Sequence, residues 1–340
     1  MGELSVTVSA WTDQFDRRHR DLRVSLTDRC SLRCTYCMPE VFSEWLQRAH
    51  LLTADEIVEV VSVAVSCGIQ TVRLTGGEPL LNPHVVDIVR RVAGLPNAPE
   101  ISMTTNGLRL GQLAKPLAEA GLSRVNVSLD TLSRQRFFDI TRRDRLSQVL
   151  DGIAAAGEAG LHPVKVNTLL QRGVNDDEAV PLLRQALANG WRLRFIEQMP
   201  LDAGGLWSRS TMITADEILH DLSREFSLTP VPTRGSMPAE EYYVDGGLQI
   251  VGVIASVTRP FCGSCDRVRL TADGQVRNCL FARQETDVRA TLRDASLNPE
   301  QRRTRIAARF QASVHAKAAG HGIDDPAFLQ PARPMSAIGG

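Results

Sequence analysis

Net charge is missing from this 340-residue sequence: 39 lysines and arginines balance 39 aspartates and glutamates. The broad basic footprint of a nucleic-acid binder is therefore absent, although a local arginine cluster could still hold an anionic small molecule. No stretch is apolar for long enough to span a bilayer, so no membrane partner is expected. The opening residues, MGELSVTVSAWTDQ, lack a basic segment followed by an apolar run, as a secretory signal would need. No internal repeat of fixed period occurs. Seven cysteines are present, but they do not scatter as disulfide pairs. Most of them group at metal-ligand spacing, which fits a reducing cytosol and a cytoplasmic protein. Each group is also one ligand short.

The first group, Cys30, Cys34 and Cys37, lies in DRCSLRCTYC with the spacing C-x3-C-x2-C. A structural zinc or an ordinary four-iron cluster takes four protein ligands. Three thiolates on one tight loop leave a metal corner open for a group that is not protein. At a [4Fe–4S] cluster, the amino and carboxylate groups of S-adenosylmethionine can fill that corner. The alternative is a zinc loop completed by a distant His or Cys. The second group is Cys262, Cys265 and Cys279, in FCGSCDRVRL and RNCLF. It has no fourth cysteine, no nearby histidine and no second C-x2-C pair. A second [4Fe–4S] cluster with an open iron is expected, with a zinc knuckle as the alternative. Cys67 falls on the apolar stripe of a helix and reads as core.

From about Leu22 to Glu197 the pattern alternates between strand and helix. Strands are expected at Leu22–Thr27, Thr71–Thr75, Glu100–Thr104, Arg124–Leu129, Pro163–Leu169 and Arg192–Glu197, several of them nearly continuous apolar runs. Helices are expected at Ala54–Cys67, His84–Ala93, Gly111–Ala120, Leu146–Ala159 and Asp176–Asn189, the first with Thr53 as its cap. Six such units predict an α/β fold with a parallel sheet, curved into a partial (β/α)6 TIM-like barrel. After a Gly-rich linker, Pro200–Ser210, come a helix (Ala215–Phe226), strands near Tyr242–Val244, Leu248–Val251 and Ile254–Val257, and a helical segment, Arg302–Ala319. The reading is a barrel domain over residues 1–200 and a smaller α+β C-terminal domain over 211–340 that caps the open barrel. Phe328–Gly340 reads as a tail.

Several motifs fall at strand ends. LTGGEPLL, residues 74–81, places two glycines where backbone can approach a ligand closely. Arg23, Arg73, Lys165, Arg194, Arg267 and Arg269 sit on strands or beside the second cysteines, where a charge is costly unless paired. Salt bridging explains any one of them. Together they would make a cationic lining suited to phosphate oxygens. TTNG (Thr104–Gly107) and NVSLD (Asn126–Asp130) offer small polar groups that could bond a ribose or base, or could simply shape turns. The final Gly339-Gly340 reads most simply as a frayed tail.

Taken together, DLRVSLTDRCSLRCTYCMP, VRLTGGEPLL, TTNG, RVNVSLD, VKVNTLLQRGVNDDE, LRFIEQM, FCGSCDRVRLTADG, NCLF and the terminal glycines resemble the GTP 3′,8-cyclase family of the radical S-adenosylmethionine (radical SAM) superfamily. The resemblance runs from roughly Asp13 to Gly340. It implies that Cys30, Cys34 and Cys37 hold the cluster that binds S-adenosylmethionine, with Tyr36, Gly77, Ser128 and Met199 on that cofactor. Cys262, Cys265 and Cys279 would hold the second cluster, whose open iron meets the guanine of GTP. Arg23, Arg73, Thr104, Lys165, Arg194, Arg267 and Arg269 would bind GTP. Arg267, Arg269, Gly339 and Gly340 would serve catalysis, the glycines by reaching into the cavity. The implied reaction makes (8S)-3′,8-cyclo-7,8-dihydroguanosine 5′-triphosphate, the first step of molybdenum cofactor biosynthesis. Implied partners are GTP, an external electron donor and the next enzyme, cyclic pyranopterin monophosphate synthase; a homodimer is left open. Thr71, Asn82-Pro83 and Phe15-Asp16-Arg17 depart from the family's pattern and bear on substrate contacts. A peptide-modifying radical SAM enzyme with an auxiliary cluster would also explain the cysteines. A zinc-stabilised binding module is the alternative outside enzymes.

Overall fold

The computed structural model describes residues 10–38, 45–202, 205 and 207–339. Six strands alternate with helices: β1 (Asp21–Ser25), β2 (Thr71–Thr75), β3 (Glu100–Thr105), β4 (Arg124–Ser128), β5 (Lys165–Leu169) and β6 (Arg192–Ile196). Six more follow: β7 (Leu228–Pro230), β8 (Glu240–Val244), β9 (Ile250–Ile254), β10 (Arg267–Leu270), β11 (Gln275–Arg277) and β12 (Thr286–Asp287). All join one sheet in the order β12-β11-β10-β1-β2-β3-β4-β5-β6-β9-β8-β7. The run from β10 through β1–β6 to β9 is parallel throughout. The later strands thus extend both edges of the six-stranded unit as well as carrying the second cysteine group.

These strands are not continuous apolar runs but two-faced ones. Leu22, Val72 and Ile101 share one register row across β1, β2 and β3, and Val24, Leu74 and Met103 another, all essentially buried. These rows pack under the surrounding helices, each side chain contributing roughly 1.5–3 kcal/mol by burial. The alternate residues face the other way. Arg269, Arg23, Arg73 and Ser102 share one register row on β10, β1, β2 and β3. The sheet keeps a polar, charged concave face because a period of two sends every second side chain there.

The helix Ala54–Ser66 begins as the sequence suggests: Thr53 Oγ1 accepts from Glu56 N (3.2 Å) while Glu56 Oε2 accepts from Thr53 N (2.7 Å). The helix Arg134–Thr141 was not expected, because its charged residues hide a short apolar stripe of Phe137 and Ile140. Two expected strands, Leu248–Val251 and Ile254–Val257, are the single strand β9. Beyond Ile254 the backbone leaves the ladder, and Val257 N and Thr258 N donate to the buried carboxylate of Glu197 instead (2.8 and 2.9 Å). Among the described residues no helix is long and apolar enough to cross a membrane.

Candidate functional site

The loop after β1 carries Cys30, Cys34 and Cys37, and three neighbours shape it. Gly77 N donates to Thr27 O and Glu78 N to Arg29 O, both at 2.7 Å. A Cβ on Gly77 would stand 2.4 Å from the carbonyl oxygens of Asp28 and Arg29. The glycines are therefore needed where backbone meets the cysteine loop, a closer constraint than the ligand approach inferred from sequence. Glu78 is buried and accepts from Leu80 N, Thr105 Oγ1 and Asn106 N, while burial pushes its carboxyl up to about 6. Asn106 Nδ2 in turn reaches Ser31 Oγ (3.1 Å) and Cys30 Sγ (3.7 Å). From the other side, the end of the helix Arg134–Thr141 accepts from the loop: Thr35 N bonds Ile140 O (3.0 Å) and Arg33 N bonds Thr141 O (2.9 Å).

The three thiols are free and half-buried on the wall of a cleft of about 1330 Å³, which Tyr36, Gly77, Thr104, Ser128 and Met199 also line. Tyr36 donates to Asp130 Oδ2 (2.7 Å), and Asp130 Oδ1 accepts from Leu169 N (2.9 Å). That carboxylate is thus committed to protein groups rather than to a ribose. Burial pushes all three thiols up, Cys37 to about 12 with Cys30 adding to the shift. Thiols in this state bind as thiolates only when a metal displaces the proton, as a coordinating cation does.

The second triad lies across the barrel. Cys262 and Cys265 bracket a single turn before β10, and Cys279 follows β11. All three line a cleft of about 1010 Å³ together with Arg23, Arg73, Arg194, Arg267 and Arg269. Thr104, Asn167, Ile196, Met199 and Met335 line both clefts, so the triads look into adjoining space. Burial raises the Cys262 thiol. At Cys265 burial also acts upward, but Lys317 and Arg267 outweigh it and the net shift is down. The fold brings His321 to this cleft, which the sequence did not suggest. Both its ring nitrogens are used, Nε2 with Ser256 O (3.0 Å) and Nδ1 accepting from Ile323 N (3.1 Å), so it is not a spare zinc ligand. Among the described residues no three His, Cys, Asp or Glu side chains converge on one ion position. Three free thiols per cleft, without a fourth donor, fit an open-cornered cluster at each end.

The arginine row lines the second triad's cleft. Arg23 is flanked by Arg269 and Arg73; burial first, then those two charges, holds its guanidinium well below the usual range. Its Nε is buried without a hydrogen-bond partner. An unsatisfied donor among like charges is a ready seat for an anion. Arg73 Nε donates to Ser102 Oγ (3.3 Å). Asn167 Oδ1 and Asn126 Oδ1 accept from Arg194 at 3.0 and 2.9 Å and fix its fork. Arg267 is more committed: it donates to Ser236 O and Cys265 Sγ, pairs with Asp21 and lies over the Phe261 ring. Lys165 sits nearer the strand starts, level with Asn126 and Arg192, and lines neither cleft.

The end of the described chain is not frayed. Met335–Ile338 forms a helical turn, Ile338 is buried, and Ser25 Oγ donates to Ile338 O (2.9 Å). Arg269 Nη1 donates to Gly339 O (2.5 Å). Gly339 has φ +85°, and a Cβ there would stand 2.0 Å from Ser25 Oγ. Gly340 lies outside the described residues. The altered motifs also find places. Asp16 takes a left-handed φ of 60°, and Arg17 donates to Cys262 O (2.7 Å), Ala318 O (2.7 Å) and Ala319 O (3.1 Å). Thr71 pairs in register with Asp21 and Glu100, and Asn82 Nδ2 donates to Leu26 O (3.1 Å).

Comparison with known proteins agrees with this geometry. The chain matches the Radical SAM superfamily over residues 24–186 and Molybdenum Cofactor Synthesis C over residues 191–323. A protein of Streptomyces coelicolor named GTP 3′,8-cyclase is 58% identical over 331 residues, covering 96% of each chain. One of Mycolicibacterium smegmatis with the same name is 52% identical over 334 residues, covering 96% of this chain and 91% of its own. Among solved structures, Streptococcus suis SuiB bound to S-adenosylmethionine superposes with a TM-score of 0.56 at 12% identity. That match covers 81% of this chain and 63% of SuiB, and is a likeness of fold. With sequence identity sustained over nearly its whole length, the chain belongs to the GTP 3′,8-cyclase family of radical SAM enzymes.

Proposed function

We propose that this protein converts GTP to (8S)-3′,8-cyclo-7,8-dihydroguanosine 5′-triphosphate, opening molybdenum cofactor biosynthesis. One observation carries the reading: two incomplete cysteine triads face adjoining clefts, and a row of arginines lines the second of them. Cys30, Cys34 and Cys37 would hold one [4Fe–4S] cluster within residues 1–200, and Cys262, Cys265 and Cys279 a second within 211–340. When bound, the first cluster and S-adenosylmethionine supply the one-electron chemistry that starts hydrogen removal from the ribose.

The chain's own residues bind, orient and shield. Arg23 and Arg73 present forks to the triphosphate, supported by the unpartnered Nε of Arg23. Arg194, fixed by Asn126 and Asn167, presents a pre-set edge to the nucleotide. Met199 and Met335 line both clefts and exclude water where they meet. Gly339 closes the wall beside Arg269. Tyr36, Gly77, Ser128 and Met199 line the cleft assigned to S-adenosylmethionine. An external donor supplies electrons, the product passes to cyclic pyranopterin monophosphate synthase, and the setting is the cytoplasm; sedimentation would test for a homodimer. The deciding experiment is anaerobic reconstitution followed by iron and sulfide counts and product analysis. Cys34→Ala should abolish 5′-deoxyadenosine formation. Cys265→Ala should keep the first cluster's iron and lose cyclisation. Colourless wild-type protein containing zinc would refute the reading.

A further inference from the structure

Of the 39 basic residues only three are lysines: Lys115, Lys165 and Lys317. Lys317 is only 3% exposed, just beyond the helix Pro299–His315. Its Nζ donates to Cys265 Sγ (3.3 Å) and to Arg267 O (2.7 Å). Among the described residues it has no carboxylate ion-pair partner. The nearby Asp13 carboxylate is taken by Arg17 (2.6 Å) and His19 (3.2 Å). Burial, and then Lys317 itself, brings His19 down to about 4, so the imidazole is neutral. A buried ammonium is costly unless an anion faces it. Here the group that faces it is the Cys265 sulfur, which carries negative charge when it ligates a cluster.

We propose that Lys317 is a positioning residue for the second cluster: its ammonium donates to the Cys265 sulfur and holds that cluster's reduction potential up. The inference rests on the reading of Cys262, Cys265 and Cys279 as cluster ligands. Reduction adds negative charge to a cluster, and a fixed cation a few ångströms away stabilises the added charge. Hydrogen bonds to the sulfurs are one of the levers that set such potentials. Arg267 Nη1, 3.6 Å from the same sulfur, acts in the same sense.

The test uses full-length protein reconstituted with both clusters, as wild type, Lys317→Met and Lys317→Arg. Iron and sulfide are counted, and both potentials are read by EPR-monitored titration. The signal that shifts on adding S-adenosylmethionine belongs to the first cluster. Lys317→Met should keep both clusters, lower the potential of the other signal and leave the first unchanged. Lys317→Arg should restore the potential. Loss of second-site iron in Lys317→Met with retention in Lys317→Arg at the wild-type potential would also support the donor role. An unchanged potential in Lys317→Met overturns it, as does equal loss of second-site iron in both variants, which would mark a packing role. Failure of the cluster reading itself shows earlier and separately, as wild-type protein holding iron at one site only.

Discussion

At Gly339 a single missing carbon keeps two hydrogen bonds in place. A Cβ would meet Ser25 Oγ at 2.0 Å and Thr75 Cγ2 at 3.1 Å, in a backbone conformation that side chains disfavour. Gly339→Ala should displace the carbonyls now held by Ser25 and Arg269. We expect GTP turnover to fall by about 10²-fold, the cost of a small misplacement near a reacting centre. Iron content should stay normal, which inductively coupled plasma analysis would check. The terminal glycines were visible in the sequence, but the packing of Gly339 against Ser25 and Arg269 was not. A dipeptide carries no pattern that separates a threaded end from a loose one. Lys165 offers a test by pH. Burial, then Arg194, Arg124 and Arg192, depress its ammonium to about 7, with Glu241 opposing. The folded pKa lies below the unfolded one, so the folded state carries a penalty below pH 7 that is relieved as pH rises toward 10.5. Binding of a triphosphate nearby would favour the charged form. At pH 8, nucleotide binding should therefore take up about one proton more in wild type than in Lys165→Arg. Calorimetry in two buffers of different ionisation enthalpy measures this; equal uptake would remove Lys165 from the anion's surroundings. Arg23→Ala should weaken GTP by about 1–3 kcal/mol, the scale of a lost charge-assisted bond, and guanosine by less.

Elements hold the cysteine loops from outside the loops themselves. The first loop leans on the glycine turn after β2 and on the end of the helix Arg134–Thr141. The second is tied to the N-terminal segment by Arg17, whose side chain is nearly buried between Asp13 and three carbonyls. Removing it leaves Asp13 short of its main partner and Cys262 O without its donor. Arg17→Met should cost about 3 kcal/mol, the scale for breaking a buried pair. Thermal melting should shift down, and iron should leave the second site before the first. The six βα units were legible from the sequence because their helices are amphipathic and their strands rich in branched residues. The ties between elements were not. Arg17, Asn106 and Lys317 reach their cysteines across gaps of sequence that no local pattern records. Phe15-Asp16-Arg17 and TTNG marked two of these residues as motifs, without showing what they touch. Strands β10–β12 went unread because they are short, and β10 alternates arginine with apolar residues.

Across the whole molecule, one sheet crosses the boundary between the two family regions. β10 covers the free edge of β1 and β9 covers that of β6. Residues 1–200 expressed alone would present both edges bare, and bare parallel edges template association. Size-exclusion chromatography should find that fragment aggregated, while the full chain elutes as a discrete species. A well-behaved monomeric fragment would show that the sheet does not need its late strands. The β1–β10 pairing also sets a clock. Asp21 meets Arg267 across the ladder, so β1 waits for about 250 further residues to leave the ribosome, roughly 12–50 s at ordinary synthesis rates. Throughout that interval the strand leading into the first cysteine loop has an open flank. The nascent chain should therefore gain from chaperones during its own translation. Slow synthesis lengthens the exposure, so yield should depend on how fast the message is read as well as on how stable the finished fold is.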